Sequence, residues 1–260
     1  MSQIVLTGDC TTTTALAVAS AWPSSEDLLL LEFDPRGGSL AAWLDVPLTP
    51  SLSTFVAAEH GGTAELRSGA DETGLVRTTP TGVGFVPAPF RSREAARAVV
   101  EARHSVLPRL QGLSDVLLVD AGTPLPGLPM GEVLAGSDVA VVVHRQDASS
   151  PGAAAVRLER LREHVEAVTG ACAEVIVAVI GSDPFDVPQI EEHVDPNLTW
   201  VELANDPLAA AVHAGREGVS ARRMDRLPLS RSARRLADLL RSRLVGSTPC
   251  PSPSSGEVHG

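Results

Sequence analysis

Short apolar runs alternate along the chain with longer stretches in which apolar residues recur every three or four positions. The runs are Ile4–Leu6, Leu28–Phe33, Gly82–Val86, Asp115–Val119, Asp138–Val143, Val175–Ile180 and Thr199–Leu203. Each predicts a strand, and the continuous apolar run Leu28–Phe33 predicts one buried on both faces of a parallel sheet. Between them the spacing predicts helices over Thr12–Ala21, Ser39–Leu44, Leu52–Glu59, Met130–Ala135, Ala153–Val168, Val187–His193, Pro207–Ala214 and Ser230–Val245. Arg93–Leu110 places Ala96, Val99, Val100, Val106, Leu107 and Leu110 on one side of a further helix with a charged opposite face. His60–Thr81 is polar, Gly-rich and poorly periodic, which reads as a loop with a weak strand. Strands alternating with helices give a doubly wound α/β fold, a mostly parallel sheet with helices on both faces.

The alternation runs without a long linker to residue 245, so residues 1–245 are expected to form one domain. From Gly246 onward, Ser, Pro and Gly dominate, and residues 246–260 read as a disordered tail. Hydrophobic content of 43% supplies a full core, built from Leu, Val and Ala because aromatics are only 3%. Cys10, Cys172 and Cys250 are too widely spaced for a disulfide framework or a metal cluster. They fit a reducing compartment. The N-terminus enters a strand directly, and no run approaches the length of a membrane span, so a cytoplasmic protein is expected.

Candidate chemistry gathers at strand ends, where ligands of such sheets bind. Ile4–Ser20 reads as a strand, a tight Gly-Asp turn and a run of threonines that cap and open an Ala-rich helix. This is the layout of a phosphate-binding loop, in which backbone N–H groups and a helix N-terminus face an anion. Gly8, Asp9, Cys10, Thr11, Thr12 and Thr13 are the candidate nucleotide-binding residues. Cys10 and Thr11 fall where a Gly-Lys pair would stand, and Thr12 takes the place of the magnesium-binding hydroxyl. Asp34 closes the second strand before Pro35-Arg36-Gly37-Gly38, and Asp120 closes DVLLVD before Ala-Gly. Thr12, Asp34 and Asp120 are candidate magnesium ligands, with Asp34 also placed to orient an attacking water. Each carboxylate also reads as a simple turn former accepting backbone N–H bonds.

The loop has no lysine, and all 21 basic residues of the chain are arginine. A net charge of −11 argues against general affinity for DNA or anionic lipid, yet the charge is uneven. Nine arginines lie between Arg216 and Arg243 against Glu217, Asp225 and Asp238, a local balance of +6 that leaves −17 elsewhere. The segment reads as a basic DNA- or membrane-contacting surface or, more commonly, as a solvated helix face. The stripe Ala233, Leu236, Leu240 and Leu244 fits either a membrane-surface helix or a final helix packed on the sheet.

IVLTGDCTTTTALAVA, LLLLEFDPRGGSLAAWL, DVLLVDAG, DVAVVVHR and VIVAVIGSDPF resemble the successive strands of the MinD/ParA family of deviant phosphate-loop ATPases. In particular they are similar to the divergent MinD-like branch of high-GC actinobacteria, whose loop runs Gly-Val-Thr-Thr-Thr. The resemblance covers roughly Ile4 to Leu244. It implies that Thr11 replaces the loop lysine and that Thr12, Asp34 and Asp120 match the residues that meet magnesium. It also implies ATP and Mg as ligands, a homodimer or protein partner, and placement in the cytoplasm, at the membrane periphery or on the nucleoid. A signature lysine near the loop start is missing; Thr7-Gly8-Asp9 stands there with an added negative charge. Gly181 stands where many relatives carry a base-reading asparagine. The lack of tyrosine excludes the related tyrosine-kinase branch. Removal of charge stabilisation costs orders of magnitude in rate. The resemblance therefore implies a degenerate, catalytically weak or inactive localisation or regulatory adaptor. The alternative is an active dimeric positioning ATPase using arginine or a partner's residue in place of lysine.

Overall fold

The computed structural model describes residues 2–61, 76–124, 130–146 and 150–246. Among these residues the strands are β1 (Ser2–Gly8), β2 (Leu28–Glu32), β3 (Arg77–Thr78), β4 (Gly84–Val86), β5 (Val116–Asp120), β6 (Val139–Arg145), β7 (Val175–Ile180) and β8 (Thr199–Leu203). They form one sheet in the order β3-β4-β2-β5-β1-β6-β7-β8. Every pairing is parallel except that of β3 with β4. β1 lies between β5 and β6, so the order reverses there and opens a crevice beyond its carboxyl end.

The apolar runs supply two cores at once because successive side chains point to opposite faces of a strand. Val5, Leu29, Leu31, Leu117, Val119, Val177 and Val179 pack on one side. They meet α3 (Leu52–Gly61), α4 (Ser92–Ser105), α5 (Leu107–Gln111), α6 (Met130–Ala135), α7 (Pro151–Thr169) and α8 (Val187–Val194). Ile4, Leu6, Leu30, Leu118, Ile176 and Ala178 pack on the other. Their partners come from α1 (Thr11–Ala21), α2 (Leu40–Trp43), α9 (Pro207–His213) and α11 (Pro228–Gly246). The short α10 (Ala221–Met224) precedes α11 and was not foreseen.

The single helix expected over Arg93–Leu110 is two, α4 and α5, with the break at Val106. Pro108 explains it: the ring has no N–H to continue the helical hydrogen bonds and clashes with the carbonyl four residues earlier, so it sits at the start of a new helix. The weak strand expected within His60–Thr81 is β3, while residues 62–75 of that stretch lie outside the described residues. Of the tail expected at 246–260, residues 247–260 also lie outside them, and Gly246 ends α11.

The stripe on α11 faces the core. Leu229, Ala233, Leu236, Ala237 and Leu240 are buried, and the helix packs on α1, α9 and β8. Arg241 fixes its far end to Glu26 beyond α1, at 2.6 Å. Among the described residues no helix is long and apolar enough to cross a membrane. Removing the Leu236 side chain should therefore cost about 2–5 kcal/mol in urea unfolding, the range for a buried leucine truncated to alanine. Val245→Ala, at an exposed site, should stay within about 0.5 kcal/mol of the parent. A neutral Leu236→Ala would contradict the packing of α11 on the sheet.

Candidate functional site

β1 continues to Gly8 and α1 begins at Thr11, so only Asp9 and Cys10 join them. Gly8 has φ +119, and a Cβ there would lie 2.2 Å from the Val143 carbonyl oxygen. Glycine is what lets the end of β1 close on β6. Cys10 turns the chain in the left-handed region, φ 51, and occupies the N-cap without a side-chain hydrogen bond. The threonine cap expected from sequence is therefore absent. The threonines lie inside the helix, where the Thr14 hydroxyl donates back to the Cys10 carbonyl at 3.0 Å. Thr11 is buried, and Thr12 and Thr13 are half-buried.

Neighbouring strands tie this junction down on both sides. The Gly8 N–H donates to the Gly122 carbonyl at 2.9 Å, and the Asp9 N–H to the Val143 carbonyl at 2.8 Å. The Thr123 hydroxyl donates to the Gly8 carbonyl at 3.0 Å. The Asp9 carboxylate accepts from the Arg157 guanidinium at 3.0 Å and from the Arg145 backbone N–H at 3.2 Å. Sequence reasoning placed a repulsive charge at Asp9; the fold pairs it instead with an arginine of α7, 148 residues away.

The two expected carboxylates do come together beside α1. Asp120 is completely buried, and burial pushes its pKa up. The Thr11 and Thr12 side chains and the Gly122 N–H partly counter that shift, while Asp34 adds to it. One oxygen, Oδ1, accepts from Gly122 N at 3.2 Å. Among the described residues the other oxygen, Oδ2, has no hydrogen-bond partner. Asp34 is clamped by Arg36, whose Nη2 donates to Oδ2 at 3.0 Å while its Nε and backbone N–H donate to Oδ1. Gly122, at φ +60, presses on that carboxylate: a Cβ there would lie 2.2 Å from the Asp34 Cγ.

A third carboxylate, Glu32, went unassigned because it sits within the apolar run Leu28–Phe33. It stands directly opposite Asp120 in the β2–β5 register. Its oxygens accept from the backbone N–H groups of Ser39 at 2.6 Å, Leu40 at 3.0 Å and Ala88 at 3.0 Å. Burial first, and then the neighbouring Asp120, push its pKa up to about 7. A glutamate in an otherwise apolar strand was the available signal, since a buried charge needs such partners. Among the described residues no set of three His, Cys, Asp or Glu converges as a metal site.

Arg36, Arg145 and Arg157 line a cleft of about 850 Å³ beyond β1, β6 and β7, together with Cys10, Gly181 and Asn205. Neither nearby imidazole brings positive charge to it. His144 is buried, and burial pushes its pKa down to about 4. Burial also lowers that of His164, whose Nε2 lies 3.3 Å from the Thr7 hydroxyl.

This arrangement, with helices on both faces of the sheet and a site at the β1 switch point, has solved counterparts. The septum site-determining protein MinD of Pyrococcus horikoshii, complexed with Mg-ADP, aligns with a TM-score of 0.68 at 17% identity over 94% of this chain and 97% of that one. The chain has the MinD/ParA-type fold. A ParA family ATPase from Chlorobium tepidum gives 0.66 at 13% identity, over 92% of this chain and 98% of that one. MinD in the MinC:MinD cell division complex of Aquifex aeolicus gives 0.60 at 16%, over 97% and 98%. By sequence, no family model and no curated protein matches the chain.

The Glu32 carboxyl makes stability pH-dependent. Unfolded, it releases its proton near 4.5; folded, it holds the proton to about 7. Between those values the folded state binds more protons, so stability falls as pH rises through the window. The raised pKa of Asp120 acts in the same direction. Urea midpoints of the parent should drop relative to those of Glu32→Gln between about pH 4.5 and 7. Parallel midpoints would contradict the burial of a titrating carboxyl here.

Proposed function

We propose that this protein does not hydrolyse ATP and acts as a localisation or regulatory adaptor on the MinD/ParA fold. One observation carries the reading: the N–H groups of Gly8 and Asp9 donate to the carbonyls of Gly122 and Val143 rather than facing the crevice. A phosphate loop works by presenting such groups to the anion across the span G-x-x-x-x-G-K-[ST]. A two-residue junction cannot enclose a phosphate in that way. The residues present do not fit a magnesium-bound triphosphate. No lysine is available, the Asp9 carboxylate stands at the junction, and Arg36 already occupies both oxygens of Asp34. Thr12, Asp34 and Asp120 on this reading hold the rim together, and no hydrolytic step runs through them.

An adaptor works through a protein partner or a second copy of itself. MinD in a MinC:MinD complex shares this fold, which supports that mode of action for the chain. Cys10 and Cys172 are free thiols, which suits the cytoplasm. A second reading, an active ATPase, draws on two features. The α1 N-terminus has no side-chain cap, and the buried Oδ2 of Asp120 lacks a partner, as a carboxylate meeting a metal-bound water would before the metal arrives.

Isothermal titration with Mg-ATP, followed by a phosphate-release assay, separates the two. The adaptor reading expects no saturable heat up to millimolar nucleotide and no release above buffer. Micromolar binding with turnover that Asp34→Ala abolishes would establish the ATPase instead.

A further inference from the structure

The nine arginines from Arg216 to Arg243 divide into two groups. Four have partners within the fold: Arg216 stacks over Trp43 at 5.6 Å, Arg234 pairs with Asp225 at 2.8 Å, Arg241 with Glu26 at 2.6 Å and Arg243 with Glu174 at 3.3 Å. The other five, Arg222, Arg223, Arg226, Arg231 and Arg235, are exposed, and their side chains make no ion pair or hydrogen bond among the described residues. Two of them lie on α10, one in the turn after it, and two in the first two turns of α11.

This grouping works against the fold that carries it. Arg231 and Arg235 are one helical turn apart, where like charges repel. They crowd the N-terminal end of α11, the positive end of its dipole, and the first turn holds no acidic residue. The nearby Asp206 carboxylate is taken by backbone N–H groups of Ala209 and Leu229. Residues 247–260 contain Glu257 as their one acid, too little to neutralise five charges. A cationic cluster that raises its own electrostatic energy and has no counter-ion among the described residues is complementary to an external anion.

We propose that α10 and the first half of α11 form a docking surface for an acidic segment of a protein partner. Guanidinium groups grip carboxylates with two parallel hydrogen bonds, and all five free cations are arginine. A polypeptide fits better than a duplex. The basic stretch spans only a short turn of α10 and two turns of α11, while the rest of the chain carries −17. A long polyanion would run off the patch onto repulsive surface, whereas a short acidic segment would not. A membrane is disfavoured because the apolar side of α11 is buried. The proposal goes beyond the adaptor reading and stands whether or not ATP binds.

The test is fluorescence anisotropy with a labelled oligoglutamate peptide, duplex DNA and phosphatidylserine vesicles, each titrated with the full chain at low and physiological salt. The peptide should bind saturably, weaken as salt rises, and lose about tenfold or more in affinity in the variant Arg231→Gln with Arg235→Gln. Because the two arginines repel each other, the same variant should melt higher, by about 1 °C. Four results would each overturn the proposal: no saturable peptide binding, affinity unchanged in the variant, a melting point that does not rise, or tighter binding of DNA or vesicles than of peptide. Self-association of the parent, abolished in the variant, would also overturn it by making the occupant a second copy.

Discussion

Main-chain hydrogen bonding at the end of β1 sets the character of the whole rim. A strand held on both sides keeps its N–H and C=O groups in the sheet for as long as its neighbours run alongside. β6 accompanies β1 to Gly8 and β5 as far as Leu6, and the turn residues Gly122 and Thr123 extend the pairing past the end of β5. Only Asp9 and Cys10 then remain before α1, and one left-handed residue makes the turn. Backbone donors that a longer loop would turn outward are consumed by the sheet.

The carboxylates beside this junction follow from the same geometry. Parallel strands that end level bring their last side chains together, and β2 and β5 end with Glu32 and Asp120 in register. Burying such charges is costly unless hydrogen bonds or counter-charges offset it. Glu32 collects three backbone N–H groups from the segments around Ser39 and Ala88, and so fixes the path of the chain after β2. Asp34 receives Arg36, two residues on, and Asp9 receives Arg157 from α7. The rim is thus largely neutralised from within, with Asp120 Oδ2 as the atom left over.

Much of this was legible in the sequence, for physical reasons that differ by element. The strands announced themselves because a sheet covered on both faces needs uninterrupted Leu, Val and Ile, as in Val175–Ile180. Asp34 and Asp120 could be brought to one edge from their places at strand ends, since parallel strands share a direction. Glu32 was hidden because an apolar run draws attention away from the one charge inside it. Pro108 was passed over within the Arg93–Leu110 pattern, although its ring breaks that helix in two. Arg157 could not be connected to Asp9, because their contact depends on how α7 lies across the ends of β1 and β6. The same limit applies to the junction. GDCTTTT is compatible with an open loop or a closed one until the neighbouring carbonyls are placed.

The closure of that junction is tested most directly by amide hydrogen exchange across residues 3–14, with and without millimolar Mg-ATP. If the Gly8 and Asp9 amides are engaged by Gly122 and Val143, they exchange slowly in the free protein and nucleotide leaves the whole segment unchanged. Fast exchange at Gly8 and Asp9 that slows when Mg-ATP is added would contradict the account, because it would mean that those donors are free to take a phosphate.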